Sequence, residues 1–171
     1  RRGIGPAYED KIGRRGIRVM DLSNKTILSK KIDTILFHHN SIRKGLKKKI
    51  INKKKLVNDL KKISSKILKY SKPVWKKIDE FKKKKKTIVF EGAQGALLDI
   101  DHGTYPFVTS SNTVAGAAFS GSGCGPDTID YILGIVKTYT TRVGEGPFPT
   151  ELKNEIGNAI GIKGKEFGTV T

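Results

Sequence analysis

Thr87-Ile88-Val89-Phe90-Glu91-Gly92-Ala93-Gln94-Gly95 is the stretch that decides the fold class. Its first four residues are continuous, apolar and largely β-branched, the mark of a buried strand. Gly92 and Gly95 then break the strand into a loop. A strand that runs into a glycine-rich loop is where open α/β sheets place their ligands. The expectation is therefore an α/β fold with a central, mainly parallel sheet. Downstream, residues 103–126 are loop-rich, dense in Gly, Ser and Thr, with a short helix expected near 113–119. Asp127 reads as the N-cap of a helix over 128–139, with Ile129, Ile132, Leu133, Val136 and Lys137 on successive turns. Thr140 to Val143 reads as a strand.

Upstream the periodicity changes from strand to helix. Ile27, Leu28, Ile32, Ile35, Leu36 and His39 recur at helical spacing over 25–40. Leu46, Ile50, Leu56, Leu60, Ile63, Ile67 and Leu68 continue the stripe over 46–70. Pro73 interrupts it, and Val74, Trp75, Ile78 and Phe81 form a further short stripe. The lysines fall between these positions, so two or three amphipathic helices with a wet lysine face are expected. Lys82 to Lys86 reads as a solvated helix end and turn. The organisation expected is one partial domain over 1–171. It contains a lysine-rich helical subdomain at 22–86 and the strand, loop and helix part of the α/β core at 87–171.

Composition narrows the function. A length of 171 residues suits one domain. The chain opens on Arg1 and ends on Thr171, and is expected to be an internal piece of a longer protein. Its one cysteine, Cys124, excludes an intramolecular disulfide and fits a reducing compartment. No apolar run approaches the roughly 20 residues a membrane helix needs, and no signal peptide is visible. A cytoplasmic location without membrane association is expected. The net charge of +18 raises a rival class, a lysine-rich nucleic-acid-binding protein. Residues 44–86, however, hold nineteen lysines against three acids, a net +16, which leaves only +2 elsewhere. That segment has no arginine. Its aromatics, Tyr70, Trp75 and Phe81, sit beside apolar residues as core anchors rather than interleaved as base-stacking platforms. No specific nucleic-acid partner is expected. A degenerate, non-functional gene fragment is the third reading.

Gly3-Ile4-Gly5-Pro6-Ala7-Tyr8-Glu9-Asp10-Lys11-Ile12-Gly13-Arg14 carries the most chemistry. If the residues after Pro6 are helical, Tyr8, Lys11 and Arg14 fall near one face. An ammonium and a guanidinium one turn apart suit a carboxylate or phosphate. A solvated basic helix start fits the spacing equally. This stretch resembles the active-site signature of the adenylosuccinate synthetase family. Phe90-Glu91-Gly92-Ala93-Gln94-Gly95-Ala96-Leu97-Leu98-Asp99-Ile100-Asp101-His102-Gly103-Thr104-Tyr105-Pro106, with Thr109-Ser110-Ser111-Asn112-Thr113, is similar to a second block of the same family. Thr141-Arg142-Val143-Gly144-Glu145-Gly146-Pro147-Phe148-Pro149-Thr150-Glu151 matches a third.

The resemblance implies GTP-dependent ligation of L-aspartate to IMP, which gives adenylosuccinate, the first committed step toward AMP. In the family IMP is phosphorylated on its 6-oxygen from GTP, and the amine of aspartate displaces that phosphate. It implies Lys11 as the catalytic residue of the signature. Arg14, Gln94, Thr109, Val143 and Gly146 are implied to contact IMP, and Thr169, Val170 and Thr171 to begin an aspartate loop. It implies a homodimer in which Arg14 reaches the IMP site of the neighbouring subunit. Mg²⁺ ligands, the N-terminal phosphate loop with its base and acid, and the C-terminal guanine pocket are all implied to lie outside this sequence. Val170 departs from the family pattern, which commonly has Thr there.

The residues themselves also support plainer roles. Gln94 can bond nearby backbone in its turn as readily as it can read a purine edge. Thr109 sits in a hydroxyl-rich loop able to satisfy itself. Arg14 can form a surface ion pair, and Lys11 can pair with Glu9 or Asp10. Val143 and Gly146 mark a strand-to-loop change where glycine permits close approach. Asp99, Asp101 and His102 form only a weak metal signal, and a structural role is expected, with the carboxylates accepting backbone N–H bonds. Of His38 and His39, one is expected to pack and the other to be solvated. Cys124 reads as a small loop residue.

Overall fold

The computed structural model describes residues 3–165 and 169–171, with Thr169 and Val170 described by their backbone. The chain divides into two compact units, Arg1–Lys77 and Ile78–Thr171.

In the first unit, α1 spans Gly5–Ile12, with Pro6 in its first turn, where the missing N–H is no loss. A short 3₁₀ turn, Val19–Ser23, leads to α2, Lys25–Gly45. Asn24 caps α2, its Oδ1 accepting from the N–H groups of Thr26 and Ile27, each at 3.0 Å. Asn52 caps α3, Lys53–Leu68, in the same way through Lys55 N–H at 2.9 Å. Leu28, Ile32 and Leu36 are buried on one stripe of α2, and Ile17, Leu22, Leu56, Val57 and Leu60 pack against them. This is the expected amphipathic core, with the lysines of α3 left in water. The expected continuity of the stripe from Leu46 fails. Residues 46–52 are a loop, Lys47 is left-handed at φ 52°, and Leu46 and Ile50 are exposed. Asn40 closes this loop by exchanging bonds with the backbone of Ile51, at 2.7 and 3.1 Å.

Helix α4 covers Val74–Lys83 and crosses from one unit into the other. It begins directly after Pro73 and ends inside the lysine run, where Lys85 is left-handed at φ 51°. In the second unit, a 3₁₀ turn at Ala96–Leu98 precedes α5, Ala117–Ser122, close to the short helix expected near 113–119. A further 3₁₀ turn spans Pro126–Thr128. Strand β1, Arg142–Val143, pairs antiparallel with β2, Thr169–Val170, in the register Arg142 to Val170 and Val143 to Thr169. Helix α6, Glu155–Lys163, capped by Asn154, lies between them in sequence.

Among the described residues the only ladder is the antiparallel β1–β2 pair, and the expected central parallel sheet is not seen among them. Two further expectations are corrected in this unit. Thr87–Phe90 lies outside regular structure, with Val89 82% exposed. An isolated apolar strand has no ladder to join and gains nothing by being one. The helix over 128–139 is absent as well. Asp127 caps no helix, and its carboxylate instead accepts from Lys82 Nζ at 2.8 Å. Helix α6 went unforeseen. No helix among the described residues is long and apolar enough to cross a membrane.

Candidate functional site

Helix α1 presents Lys11, whose ammonium stands 5.8 Å from the centre of the Tyr8 ring, in cation–π range. The carboxylates nearby are taken by another cation. Arg15 donates to Asp10 at 2.6 Å and to Glu9 at 2.9 Å. Lys11 is thus exposed and held by Tyr8 rather than neutralised by Glu9 or Asp10. Arg14 does not share the helical face. It follows the end of α1 in the left-handed region, at φ 58°, with its side chain exposed. Among the described residues it forms no ion pair. Its backbone N–H donates to Lys11 O at 3.1 Å, and those of Arg15 and Gly16 donate to Asp10 O at 3.0 Å each.

Asp10 is almost fully buried and receives His39 Nε2 at 2.8 Å as well as Arg15. Burial alone would raise its pKa, but the His39 and Arg15 hydrogen bonds outweigh that and hold it below the ordinary carboxylate value. His38 Nε2 is buried without a hydrogen-bond partner among the described residues and lies 3.9 Å from Glu9. The expectation of one packed and one solvated histidine is therefore replaced by two half-buried ones, of which His39 anchors α1 to α2.

In the second unit the loop after Gly92 brings Gln94 to Thr109. Gln94 Nε2 donates to Thr109 Oγ1 at 3.4 Å, and Gln94 is otherwise exposed. Short backbone bonds fix this approach. Thr109 N–H donates to Leu98 O at 2.8 Å, and Thr104 N–H donates to Leu97 O at 3.0 Å. Asp99 lies at the centre of the loop with no exposed surface. Its Oδ1 accepts from the N–H groups of Asp101 (2.9 Å) and His102 (3.1 Å). Its Oδ2 accepts from those of Thr113 (2.5 Å) and Val114 (3.2 Å). Burial pushes its pKa up, but the four N–H donors win and hold it far below the usual carboxylate range. Of the two carboxylates expected to accept backbone N–H bonds, Asp99 does so, whereas Asp101 accepts from the Asn112 side chain at 2.6 Å. Among the described residues no group of three or more His, Cys, Asp or Glu side chains could hold a metal ion.

Arg142 is buried at the start of β1, and its guanidinium joins two turns. It donates to Glu145 O (3.1 Å), Phe107 O (2.9 Å) and Thr104 Oγ1 (3.1 Å). Val143 is exposed beside it. Gly146, at φ +121°, lies so close that a Cβ there would meet Phe107 Cβ at 2.7 Å. Glycine is required here for both reasons. Thr171 donates its hydroxyl to Gly157 O of α6, at 2.8 Å. The side chains of Thr169 and Val170, the other two residues expected in an aspartate loop, lie outside the described residues. The structure therefore joins Gln94 to Thr109, and places Val143 and Gly146 around Arg142. Lys11 and Arg14 belong to the first unit. The sequence singled out Asp99 only within a weak metal signal and did not single out Arg142. Both lie inside the motif blocks, and the structure shows which partners each gathers.

A family profile described as adenylosuccinate synthetase matches residues 1–171. An adenylosuccinate synthetase of Wolbachia sp. subsp. Drosophila simulans (strain wRi) is 58% identical over 170 residues, covering 99% of this chain and 40% of the relative. The structure of a fully ligated adenylosuccinate synthetase from Plasmodium falciparum superposes with a TM-score of 0.89 at 37% identity. That match covers 98% of this chain and 39% of the other. The chain thus spans about two fifths of the length of these relatives.

Proposed function

This chain belongs to the adenylosuccinate synthetase family, and from that premise we propose that it contributes to the GTP-dependent ligation of L-aspartate to IMP, forming adenylosuccinate. The observation that carries the reading is the meeting of Gln94 and Thr109 in a loop fixed from beneath by a buried carboxylate. An exposed amide beside a hydroxyl gives donors and acceptors for a purine edge and for a phosphate. In this reading Gln94 contacts the base of IMP and Thr109 its phosphate. Val143 and Gly146 border the ribose, where the glycine lets backbone come close.

Lys11 acts electrostatically. Its partner is an aromatic face, so its charge stays available to an anion. Arg14, exposed and unpaired among the described residues, reaches the IMP bound by the other subunit of a homodimer. Thr169, Val170 and Thr171 open the aspartate loop through their backbone N–H groups. Among the described residues no group of three or more His, Cys, Asp or Glu side chains fits Mg²⁺, and no step is assigned to that ion. Its ligands and the GTP site belong to the parts of the relatives that this chain does not match. Residues 22–86 serve as the helical subdomain and 87–171 as part of the α/β core, in the cytoplasm and without a membrane or specific nucleic-acid partner.

Calorimetry of IMP binding to the full-length gene product tests the reading, with Arg14→Leu beside it. Micromolar-range binding that weakens in the variant supports it. Absence of IMP binding by the wild type overturns it. The 171-residue chain alone is expected not to turn over.

A further inference from the structure

We propose that Asp99 is a positioning residue for IMP, holding the loop that carries Thr109 in register with the loop that carries Gln94. The inference rests on the reading of those two residues as IMP contacts. Asp99 gathers N–H groups from two separate stretches, 101–102 and 113–114, onto one carboxylate. Between those stretches lies Thr109, whose own N–H is tied to Leu98, the residue before Asp99. Ile100, the residue after Asp99, donates its N–H to Ser111 O at 3.3 Å. The hydroxyl of Thr113 donates to Gly95 O at 3.0 Å, directly after Gln94. Asn112 Nδ2 braces the same point, at 3.2 Å from Asp99 Oδ1 and 2.6 Å from Asp101 Oδ2. Most of these bonds end on the buried carboxylate or on its immediate neighbours in sequence, and the Thr113 side chain extends the brace to the Gln94 side.

An amide cannot replace it. Both oxygens of Asp99 accept from two backbone N–H groups, so in the Asp99→Asn variant one pair would face an NH₂ group. Burying unsatisfied donors is costly enough to release the loop. Asp99 has no exposed surface, so it acts through the loop and does not touch the ligand.

The test uses the full-length gene product and measures IMP affinity by calorimetry, KM for IMP and for GTP, and thermal stability. Asp99→Asn is expected to weaken IMP by at least about tenfold while KM for GTP stays within about twofold. Combined with Thr109→Ala, it is expected to add little beyond the single changes, because both act through one contact. An unchanged IMP affinity, or effects of the two substitutions that simply multiply, overturns the inference. If Asp99→Asn does not fold, Asn112→Ala leaves the four backbone bonds in place. It is then expected to weaken IMP by about threefold with the same coupling to Thr109→Ala, and no change overturns the inference. A wild type that ignores IMP overturns the functional reading and this inference together. A wild type weakened by Thr109→Ala but not by Asp99→Asn overturns this inference alone.

Discussion

Asp10 Oδ2 and His39 Nε2 stand 2.8 Å apart, twenty-nine residues distant in sequence, and this contact fastens α1 to α2. Arg15 closes on the other oxygen, so the carboxylate is paired on both sides while nearly out of water. The segment that bears Lys11 and Arg14 is therefore held by a polar anchor rather than by apolar packing.

Acid should loosen that anchor. Asp10 and Asp21 both have folded-state pKa values below their ordinary value of 3.8. For Asp21, burial works against ionisation, and Lys31 Nζ with the Arg18 N–H overcomes it. A depressed acid contributes stability that is fully present above its unfolded pKa and is lost as pH falls through the folded one. Chemical denaturation at stepped pH should show stability level above about pH 5 and falling below about pH 4. Asp10→Asn should flatten part of that fall.

Arg14 separates stability from binding. A non-glycine residue at φ 58° costs about 1 kcal/mol. Arg14→Gly should therefore raise unfolding free energy by up to about 1 kcal/mol while IMP affinity drops, as in Arg14→Leu. Urea titration and calorimetry on the same samples check both halves. A variant that binds IMP as the wild type does would remove Arg14 from the site.

Arg142 should prove costly to remove. Its three donated bonds hold the β1 turn to the 104–107 turn. Arg142→Met leaves their acceptors unpaired and should destabilise by about 2–3 kcal/mol, seen in urea unfolding. Gly146→Ala should do comparable damage, since a methyl group there strikes Phe107 and the backbone is left-handed.

Binding to DNA, where it occurs, should be a property of lysine charge alone. Titrations in rising salt should give a steep loss of affinity and no competition with IMP. Tight DNA binding at physiological salt that IMP displaces would contradict this.

The helices were legible where burial repeats every three to four residues, as at Leu28, Ile32 and Leu36. The same rule misread residues 128–139. Ile129, Ile132, Leu133 and Val136 fit a helical stripe, yet Tyr131 to Val136 is also a short apolar run interrupted only by Gly134, and periodicity does not separate the two. Helix α6 was hidden by its glycines, although Asn154 ahead of Glu155 was a readable cap. Gln94 and Thr109 could be picked from their motif. The reason they meet could not, because the four donors to Asp99 come from positions whose side chains say nothing about them.

The five lysines after Phe81 have a consequence for solubility. Directly behind them come Thr87–Phe90, apolar, outside regular structure and exposed at Val89. Such stretches recruit one another edge to edge unless charged neighbours guard them. Two copies meeting through this stretch would have to crowd both lysine runs together. In this 171-residue chain the run is therefore expected to act as a gatekeeper against aggregation. Its protection should weaken as salt screens it, leaving the chain most soluble in dilute buffer.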